Sequence, residues 1–294
     1  MNAVYAISAA LALTAFAGAA QAKGPEVEIK NAVARVVVIP EDRADIAVEV
    51  VNGSRADLPR ITIERVGGKV KLDGGLGRGR IRGCNTRGEA APAGANPLDA
   101  VGNTTVKIRD IGDVNMRETP IITIRTPRDV DVQAGGAVFG WIGRASSVDM
   151  GNAGCGDWTI GAVTGKVEIS QAGSGDTNAA TSGQLSVNMA GSGDVHAGAT
   201  GGLEVAIAGS GDVTVAAVRG PVEASIAGSG GVTVNGGNAT TVEANIAGSG
   251  DVDINAPAGA VNVSIMGSGD VSVKSASGPV SKSIMGSGSV NVGN

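Results

Sequence analysis

Aromatic side chains and histidine are almost absent from this chain of 294 residues. It holds two Phe, two Trp, one Tyr and a single His. A hydrophobic core must therefore be built from Val, Ile, Leu and Ala, and a mixed globular enzyme of this length would carry more of the missing residue types. Charge is scarce as well, since 17% of the residues are charged and the net charge is -5. With a positive mean hydropathy, this composition argues against disorder.

Glycine, by contrast, is in large excess. The chain has 48 glycines, more than twice the share of roughly 7% found in an average protein. They do not fall at every third position, which excludes a collagen triple helix. Rich in glycine and aliphatic residues but poor in aromatics, the composition indicates a repetitive all-β protein.

The first residues predict a targeting segment. Residues 3–20 are nearly all apolar, and they end in Ala20-Gln21-Ala22, a small-x-small cleavage pattern. We interpret residues 1–22 as a signal peptide, although no Lys or Arg precedes the apolar run. A retained membrane anchor is the competing interpretation, because the run approaches the ~20 residues that span a bilayer. After cleavage we expect no membrane span and an exported protein, located in the periplasm, on the surface of a Gram-negative bacterium, or secreted.

Because we expect an exported protein, the two cysteines, Cys84 and Cys155, are candidates for a disulfide bond. In an oxidising compartment an even pair can form a disulfide, whereas the alternative is two unpaired small residues. Nothing in the sequence fixes their separation in space, so both alternatives stay open. The chain has no CxxC motif and no Cys/His cluster, which leaves no indication of redox catalysis or structural zinc. We expect no cofactor.

An internal repeat dominates the C-terminal half. The tetrad Gly-Ser-Gly-Asp, or a variant that differs at one position, begins at Gly154, Gly173, Gly191, Gly209, Gly228, Gly248, Gly267 and Gly286. Around each tetrad apolar residues alternate with polar or small ones, as in Leu203, Val205 and Ile207, which is the period of a β-strand. Each repeat is therefore two short strands bent at a corner, where glycine reaches positive φ at little cost.

Stacking turns these repeats into a fold. A single repeat cannot bury its own apolar face, but consecutive repeats stacked in register can. The prediction is an all-β parallel β-helix, a solenoid of ~19-residue coils spaced ~4.8 Å apart. We choose the right-handed form because parallel crossovers are almost always right-handed.

With these features the chain resembles the bacterial head GIN domain family, described as auto-transporter adhesins. The GSGD corners after V-x-V-x-I strands carry the resemblance. The stretches VEIKNAVARVVVIPEDRADIAVEVVNG, ITIERVGGKVKLDG and IITIRTPRDVDVQAGGA resemble the family's earlier strands. The match covers essentially all of the chain after the signal peptide. It implies a β-helix related to pectin-lyase-like helices, without catalytic residues and with a role in adhesion.

The N-terminal half differs in charge and pattern. Residues 23–150 hold 19 basic and 17 acidic residues, a net charge of 19 − 17 = +2, whereas residues 151–294 hold 4 and 11, a net of 4 − 11 = −7. Residues 73–103, rich in Gly, Arg, Pro and Asn, are predicted to form a long loop. We expect residues 23–135 to be a β-rich region that caps the solenoid, and residues 136–294 to be the β-helix with its eight corners.

An aspartate follows most corners and is the most evident candidate for chemistry. The column comprises Asp157, Asp176, Asp194, Asp212, Asp251 and Asp270. Stacked carboxylates bind Ca²⁺ in Gly/Asp-rich β-rolls, but those rolls repeat every nine residues, and here Gly231 and Ser289 interrupt the column. We predict instead that each carboxylate hydrogen-bonds backbone amides and closes its turn, with weak cation binding as the alternative.

A column of glutamates raises the alternative of a carbohydrate-active enzyme, because paired carboxylates perform glycoside hydrolysis. The column comprises Glu168, Glu204, Glu223 and Glu243. It has no neighbouring Lys, Arg or His that would give two members different roles, so a solvated surface is the favoured interpretation. Sugar binding usually adds aromatic platforms, yet Phe139, Trp141 and Trp158 fall together where the two halves meet. We expect these three to pack under the first coil.

The single histidine and a basic cluster are the remaining candidates. Ser192, His196 and Asp194 would resemble a hydrolase triad, but serine recurs at the corners and histidine does not, which marks structural residues. The basic cluster comprises Lys69, Lys71, Arg78, Arg80, Arg82 and Arg87. It either contacts anionic envelope polymers or is a solvated loop. Nucleic acid is not expected as a partner of an exported, acidic chain.

The last coil differs from those before it. Lys282 stands where Val263 and Ala244 stand in earlier coils, and an uncovered parallel edge invites pairing with another chain. Self-association as a homo-oligomer through this coil is therefore one hypothesis. The sequence as a whole predicts an exported, non-enzymatic β-helical adhesin or cell-envelope interaction protein, with envelope or surface polysaccharide as the expected partner. The alternatives are a carbohydrate-active β-helix enzyme and a self-assembling periplasmic structural protein.

Overall fold

The computed structural model describes residues 24–85, 101 and 104–293, and within them the chain is almost entirely β. The strands are β1 Glu26–Pro40, β2 Ala47–Val51, β3 Thr62–Val66, β4 Lys69–Asp73, β5 Ile81–Asn85, β6 Thr105–Ile108, β7 Gly112–Asn115, β8 Ile121–Thr126, β9 Asp129–Ile142, β10 Ser147–Asn152, β11 Trp158–Ile160, β12 Lys166–Gln171, β13 Thr177–Ala179, β14 Gln184–Met189, β15 Val195–Thr200, β16 Leu203–Ile207, β17 Val213–Val218, β18 Val222–Gly228, β19 Val232–Val234, β20 Ala239–Gly248, β21 Val252–Gly267, β22 Asp270–Ala276, β23 Val280–Gly286 and β24 Ser289–Val292. A short 3₁₀ helix covers Met116–Glu118. The predicted signal peptide and Arg87 lie outside the described residues.

Two parallel ladders run along the fold and confirm the predicted solenoid. Strands that precede the corners pair in the order β4, β1, β9, β10, β12, β14, β16, β18, β20, β21, β23. Strands that follow the corners pair in the order β8, β1, β9, β11, β13, β15, β17, β19, β21, β22, β24. Leu185, Leu203 and Val222 show the coil-to-coil register. The right-handed winding stays a prediction.

The solenoid includes strands from the N-terminal half. β1 and β9 pair in parallel along most of their length, with a bulge between Ile29 and Ala32, and both pass through the two ladders. β4 and β8 add to the far edge of β1, and β3 and β2 pair antiparallel with them in turn. The boundary expected at residue 136 thus falls inside β9, a strand that is already part of a coil.

A second, antiparallel sheet lies over the first coils. It has the order β5, β6, β7, and its inner side forms a small core with Val33, Leu76 and Phe139. The expectation of a loop over residues 73–103 was therefore wrong for β5. The reason is that Ile81 and Cys84 pack on this core, a long-range contact that the local Gly- and Arg-rich pattern does not reveal.

The interior of the solenoid is aliphatic, as the lack of aromatics predicted. Inward columns such as Val205, Val213 and Val215 are at most 2% exposed, because each column is covered by its equivalents in the neighbouring coils. The first coils differ at the position that Ile207 occupies later. There Asn152 and Gln171 are buried and donate side-chain hydrogen bonds to the carbonyl oxygens of their own corners.

Close approach explains the corner glycines better than backbone freedom does. Among the corner glycines, positive φ occurs at Gly228, Gly248, Gly267 and Gly286, all in the later coils. At every corner from Gly173 onwards, however, a Cβ on either glycine would clash with the carbonyl oxygen of the equivalent glycine one coil earlier. The corners therefore stack backbone on backbone, and only glycine fits.

Candidate functional site

The corner aspartates hold successive coils together. Their Oδ1 atoms accept hydrogen bonds from the backbone amides of the equivalent residues one coil later, at 2.7–2.9 Å. The prediction that these carboxylates bind backbone amides is confirmed, although the amide belongs to the next coil rather than to the same turn. Gly231 has no side chain that could accept a hydrogen bond from the next coil, which interrupts the column between Asp212 and Asp251. Among the described residues no group of three or more His, Cys, Asp or Glu could hold a metal ion.

Among the corner aspartates, Asp157 at the first corner is the one whose pKa is shifted. Burial raises the pKa of its carboxyl above the ordinary 3.8, the hydrogen bond from the Asp176 amide lowers it, and the Asp176 carboxylate raises it again. The folded protein therefore binds this proton more tightly than the unfolded chain does. The ionised carboxylate lowers stability at neutral pH, and this penalty disappears as the pH falls through the folded pKa towards 3.8.

We expect Asp157→Asn to raise stability at pH 7 by about 0.5 kcal/mol. The asparagine keeps a side-chain oxygen that accepts the Asp176 amide but carries no charge. The gain in stability should vanish below pH ~4, where the wild-type carboxyl is protonated and therefore also uncharged. Asp157→Ala removes the acceptor and should instead lose about 1–2 kcal/mol. Urea unfolding at pH 7 and pH 3.5 checks this, and a loss of stability for Asp157→Asn at pH 7 would contradict it.

The glutamate column is interrupted once, by Ser186 between Glu168 and Glu204. Glu204, Glu223 and Glu243 are exposed and lie directly side by side in the parallel register. Contrary to expectation a basic neighbour is present, because Lys166 Nζ contacts Glu168 Oε2 at 2.9 Å, which raises the pKa of Lys166. The sequence signal was available, since residues two apart share a face of a strand. The pair lies at the edge of the column and is separated from Glu204 by Ser186, whose Oγ donates to Glu204 Oε2 at 3.5 Å.

The aromatic residues and the histidine take structural positions. Trp158 is fully buried in the solenoid core and Phe139 is buried under the second sheet, as predicted, whereas Trp141 is only half-buried. His196 is exposed on β15, where the parallel register places it between Asn178 and Thr214. The structure thus surrounds the histidine with neutral neighbours within its ladder.

The predicted basic cluster is neutralised in part, whereas Arg78 and Arg82 are exposed. Lys69 Nζ binds Glu26 and Glu28 at 2.8 and 3.1 Å. Lys71 lies between two glutamates in the register, and Arg80 contacts Asp110. These partners come from distant parts of the chain, which is why the local sequence suggested an unopposed positive patch.

The two cysteines form a disulfide in the structure. The Cα atoms of Cys84 and Cys155 are 5.7 Å apart, and 71 positions separate them in sequence. Cys84 lies on β5 of the second sheet, and Cys155 occupies the place that serine takes in the other corners. The bond therefore ties the second sheet to the first corner of the repeat.

The last coil exposes apolar side chains. Val280 and Ile284 are 44% and 41% exposed, whereas their register partners Val261 and Ile265 are buried. Lys282 lies in register with Val263, in the inward column where the sequence placed it. Self-association through this coil stays a hypothesis.

A feature that the sequence interpretation missed is an apolar groove of about 760 Å³ along the outside of the solenoid. It crosses six consecutive coils just before their corners. Its floor is a column of outward alanines, Ala172, Ala190, Ala208, Ala227 and Ala247. Beside them runs a column of small neutral residues, Ser170, Asn188, Ala206, Ser225, Asn245 and Ser264. Every residue that lines the groove, among those described, is uncharged.

The groove exists because alanine stands at one outward position of each coil. In the ladder Ala247 is followed by Met266 and Met285, whose long side chains end the column. Met266 lines the groove and is 63% exposed. The sequence signal was the residue before each tetrad, AGSG in five coils and MGSG in the last two.

Comparisons with known proteins assign the family. The model of the family described as "Putative auto-transporter adhesin, head GIN domain" matches residues 33–217 and 199–294. The chain belongs to this family, as its corners and earlier strands predicted, and membership suggests an exported or surface protein. Among the described residues no helix is long and apolar enough to cross a membrane.

Beyond the family the likenesses are distant. A crystal structure titled as a "Putative lipid binding protein" from Parabacteroides distasonis is similar to this chain at 16% identity, with a TM-score of 0.38. The alignment covers 92% of this chain and 93% of that one. At this distance the likeness transfers no ligand. No curated protein matches the chain.

Proposed function

We propose that this protein is exported and acts as a non-enzymatic binding protein of the cell envelope or cell surface, in the manner of an adhesin. The observation that carries the proposal is the groove. It offers a continuous recess of about 760 Å³, within the size range of ligand sites, yet none of its lining residues titrates near neutral pH or binds metals well. Such a recess can bind, but its lining holds no base that would activate its serine hydroxyls as nucleophiles.

The carboxylate columns support the same conclusion. Hydrolysis of a glycoside requires one carboxyl to act as an acid while another acts as a base or nucleophile. The exposed Glu204, Glu223 and Glu243 lie side by side in consecutive coils, and no Lys, Arg or His is in register with any of them. The corner aspartates are engaged by backbone amides. The repeat therefore favours a uniform surface over a catalytic pair, and a binding protein over a carbohydrate-active enzyme.

The partner we propose is a component of the envelope or of a surface. Family membership supports contact with surfaces through its description as adhesins. Polysaccharide was the expected partner, but Phe139 and Trp158 are buried and Trp141 is half-buried, so the described residues form no exposed aromatic platform for a sugar. The groove is accordingly the surface on which we place the binding.

Protease shaving of intact cells, followed by immunoblotting, tests the proposal. We expect the protein to be digested on intact cells if it is displayed, or only after the outer membrane is opened if it is periplasmic. In either case purified residues 23–294 should sediment with isolated envelopes in a saturable manner. Recovery in the cytoplasmic fraction would contradict the proposal, as would reducing-sugar release that Glu204→Gln abolishes.

A further inference from the structure

We infer that the groove holds one extended alkyl or acyl chain with an uncharged head, lying parallel to the solenoid axis. The inference rests on the proposed binding function and names the chemistry of its ligand. The groove crosses six coils, takes only two or three residues from each, and is apolar along its whole floor. These are the properties of a site for a hydrocarbon chain.

The dimensions fit such a chain. The groove crosses six coils, so five coil-to-coil steps of ~4.8 Å give a length of about 24 Å. One leaflet of a bilayer contributes about half of a ~30 Å hydrocarbon core, which is the span of one acyl chain. A complete chain therefore lies within the groove. Met266, the bulky residue at one end, closes the floor after Ala247.

The backbone around the groove favours a hydrocarbon over a peptide. A bound peptide in extended form gains its affinity by adding a strand to a free sheet edge. The groove runs across the strands instead, and β14, β16, β18 and β20 are each paired on both sides. A peptide lying there would lose water from its amides and find few partners, whereas an alkyl chain has no such groups to satisfy.

The surrounding charge selects the head group. The exposed glutamates Glu204, Glu223 and Glu243 stand two residues before the groove's neutral column, on the same face of their strands. The corner aspartates stand beyond it on the other side of the glycines. A carboxylate or phosphate beside the coils of Glu204, Glu223 and Glu243 would meet a negative potential, so a neutral head is favoured. Ser and Asn side chains along the groove offer hydrogen bonds to a hydroxyl head.

Two tryptophan substitutions in one coil test the inference. Ala206 and Ala216 are both exposed alanines, but Ala206 lines the groove on β16 and Ala216 lies on β17 outside it. The probe is a pyrene-labelled long-chain alcohol titrated into purified residues 23–294. We expect saturable one-to-one binding by the wild type and by Ala216→Trp, and at least tenfold weaker binding by Ala206→Trp. Circular dichroism melts show that both variants are folded.

Several outcomes would overturn the inference. They are the absence of binding by the wild type, equal binding by Ala206→Trp, and equal affinity for the corresponding long-chain carboxylate. If a peptide of residues 1–22 bound more tightly than the alcohol, the ligand would be a peptide and the inference would be wrong. If the protein bound only to neutral phosphatidylcholine vesicles, the ligand would be a bilayer surface and not a single chain. If the alcohol fails while wild-type protein still sediments with envelopes, the proposed function stands and the ligand class is wrong. If both fail, the proposed function is wrong as well.

Discussion

Replacing Gly211 by alanine is expected to destabilise the solenoid by about 3 kcal/mol or more. Gly211 is buried at a corner, and an added Cβ would clash with the carbonyl oxygen of Gly193 one coil earlier. The clashing atom belongs to the backbone of a paired coil, so no side-chain rotation relieves the contact. Thermal unfolding followed by circular dichroism should show a midpoint lower by ~6–12 °C.

The same coil provides the control for this substitution. Gly202 is also buried, but its φ is not positive and the nearest atom to an added Cβ is Pro221 Cδ at 3.6 Å, an ordinary contact. Gly202→Ala should therefore change stability by less than about 0.5 kcal/mol, or raise it slightly by restricting the unfolded chain. Equal midpoints for the two variants would show that close backbone stacking at the corners does not determine the glycine requirement.

Loss of the Cys84–Cys155 disulfide is expected to reduce stability by about 4 kcal/mol. The bond closes a loop with a sequence separation of 71, and the chain-entropy estimate for such a loop is of that size. Because Cys155 takes the place of a corner serine, Cys155→Ser restores the tetrad of the other corners and leaves the solenoid corner intact. The loss should thus come from the missing cross-link between the second sheet and the first corner.

Reduction of the wild type supplies the control for the disulfide. With dithiothreitol present, the wild type and the variant carrying Cys84→Ser and Cys155→Ser should unfold at the same midpoint. Without it, the wild type should be more stable. The account of the cross-link would be refuted if the oxidised wild type and the double variant had equal midpoints.

The repeat made the solenoid predictable from sequence, and the strands that lack the repeat are the ones whose place could not be predicted. Each coil from Gly154 onwards carries its own corner and alternating strand, so local pattern and tertiary register coincide there. β1 and β9 lack that tetrad, and their place in the stack depends on pairing between residues about a hundred positions apart. The same applies to Lys69, whose partners Glu26 and Glu28 lie on another strand.

The candidate site shows the same division. The corner aspartates could be identified from sequence because aspartate after a glycine turn has a common structural use, and the structure confirmed its amide partners. The groove was not predicted, although the alanine before each tetrad was visible, because alanine carries no chemistry that marks it. Its meaning appears only when the ladders place Ala208, Ala227 and Ala247 side by side. Together these small side chains leave the space that forms the groove.

We propose the groove as the surface through which this protein binds the envelope. The most direct test is co-sedimentation of labelled wild type, Ala206→Trp and Ala216→Trp with isolated envelopes over a range of protein concentrations. We expect Ala206→Trp to bind at least tenfold more weakly, while Ala216→Trp binds within twofold of the wild type. Undiminished binding of Ala206→Trp would contradict it and would assign the interaction to another face of the solenoid.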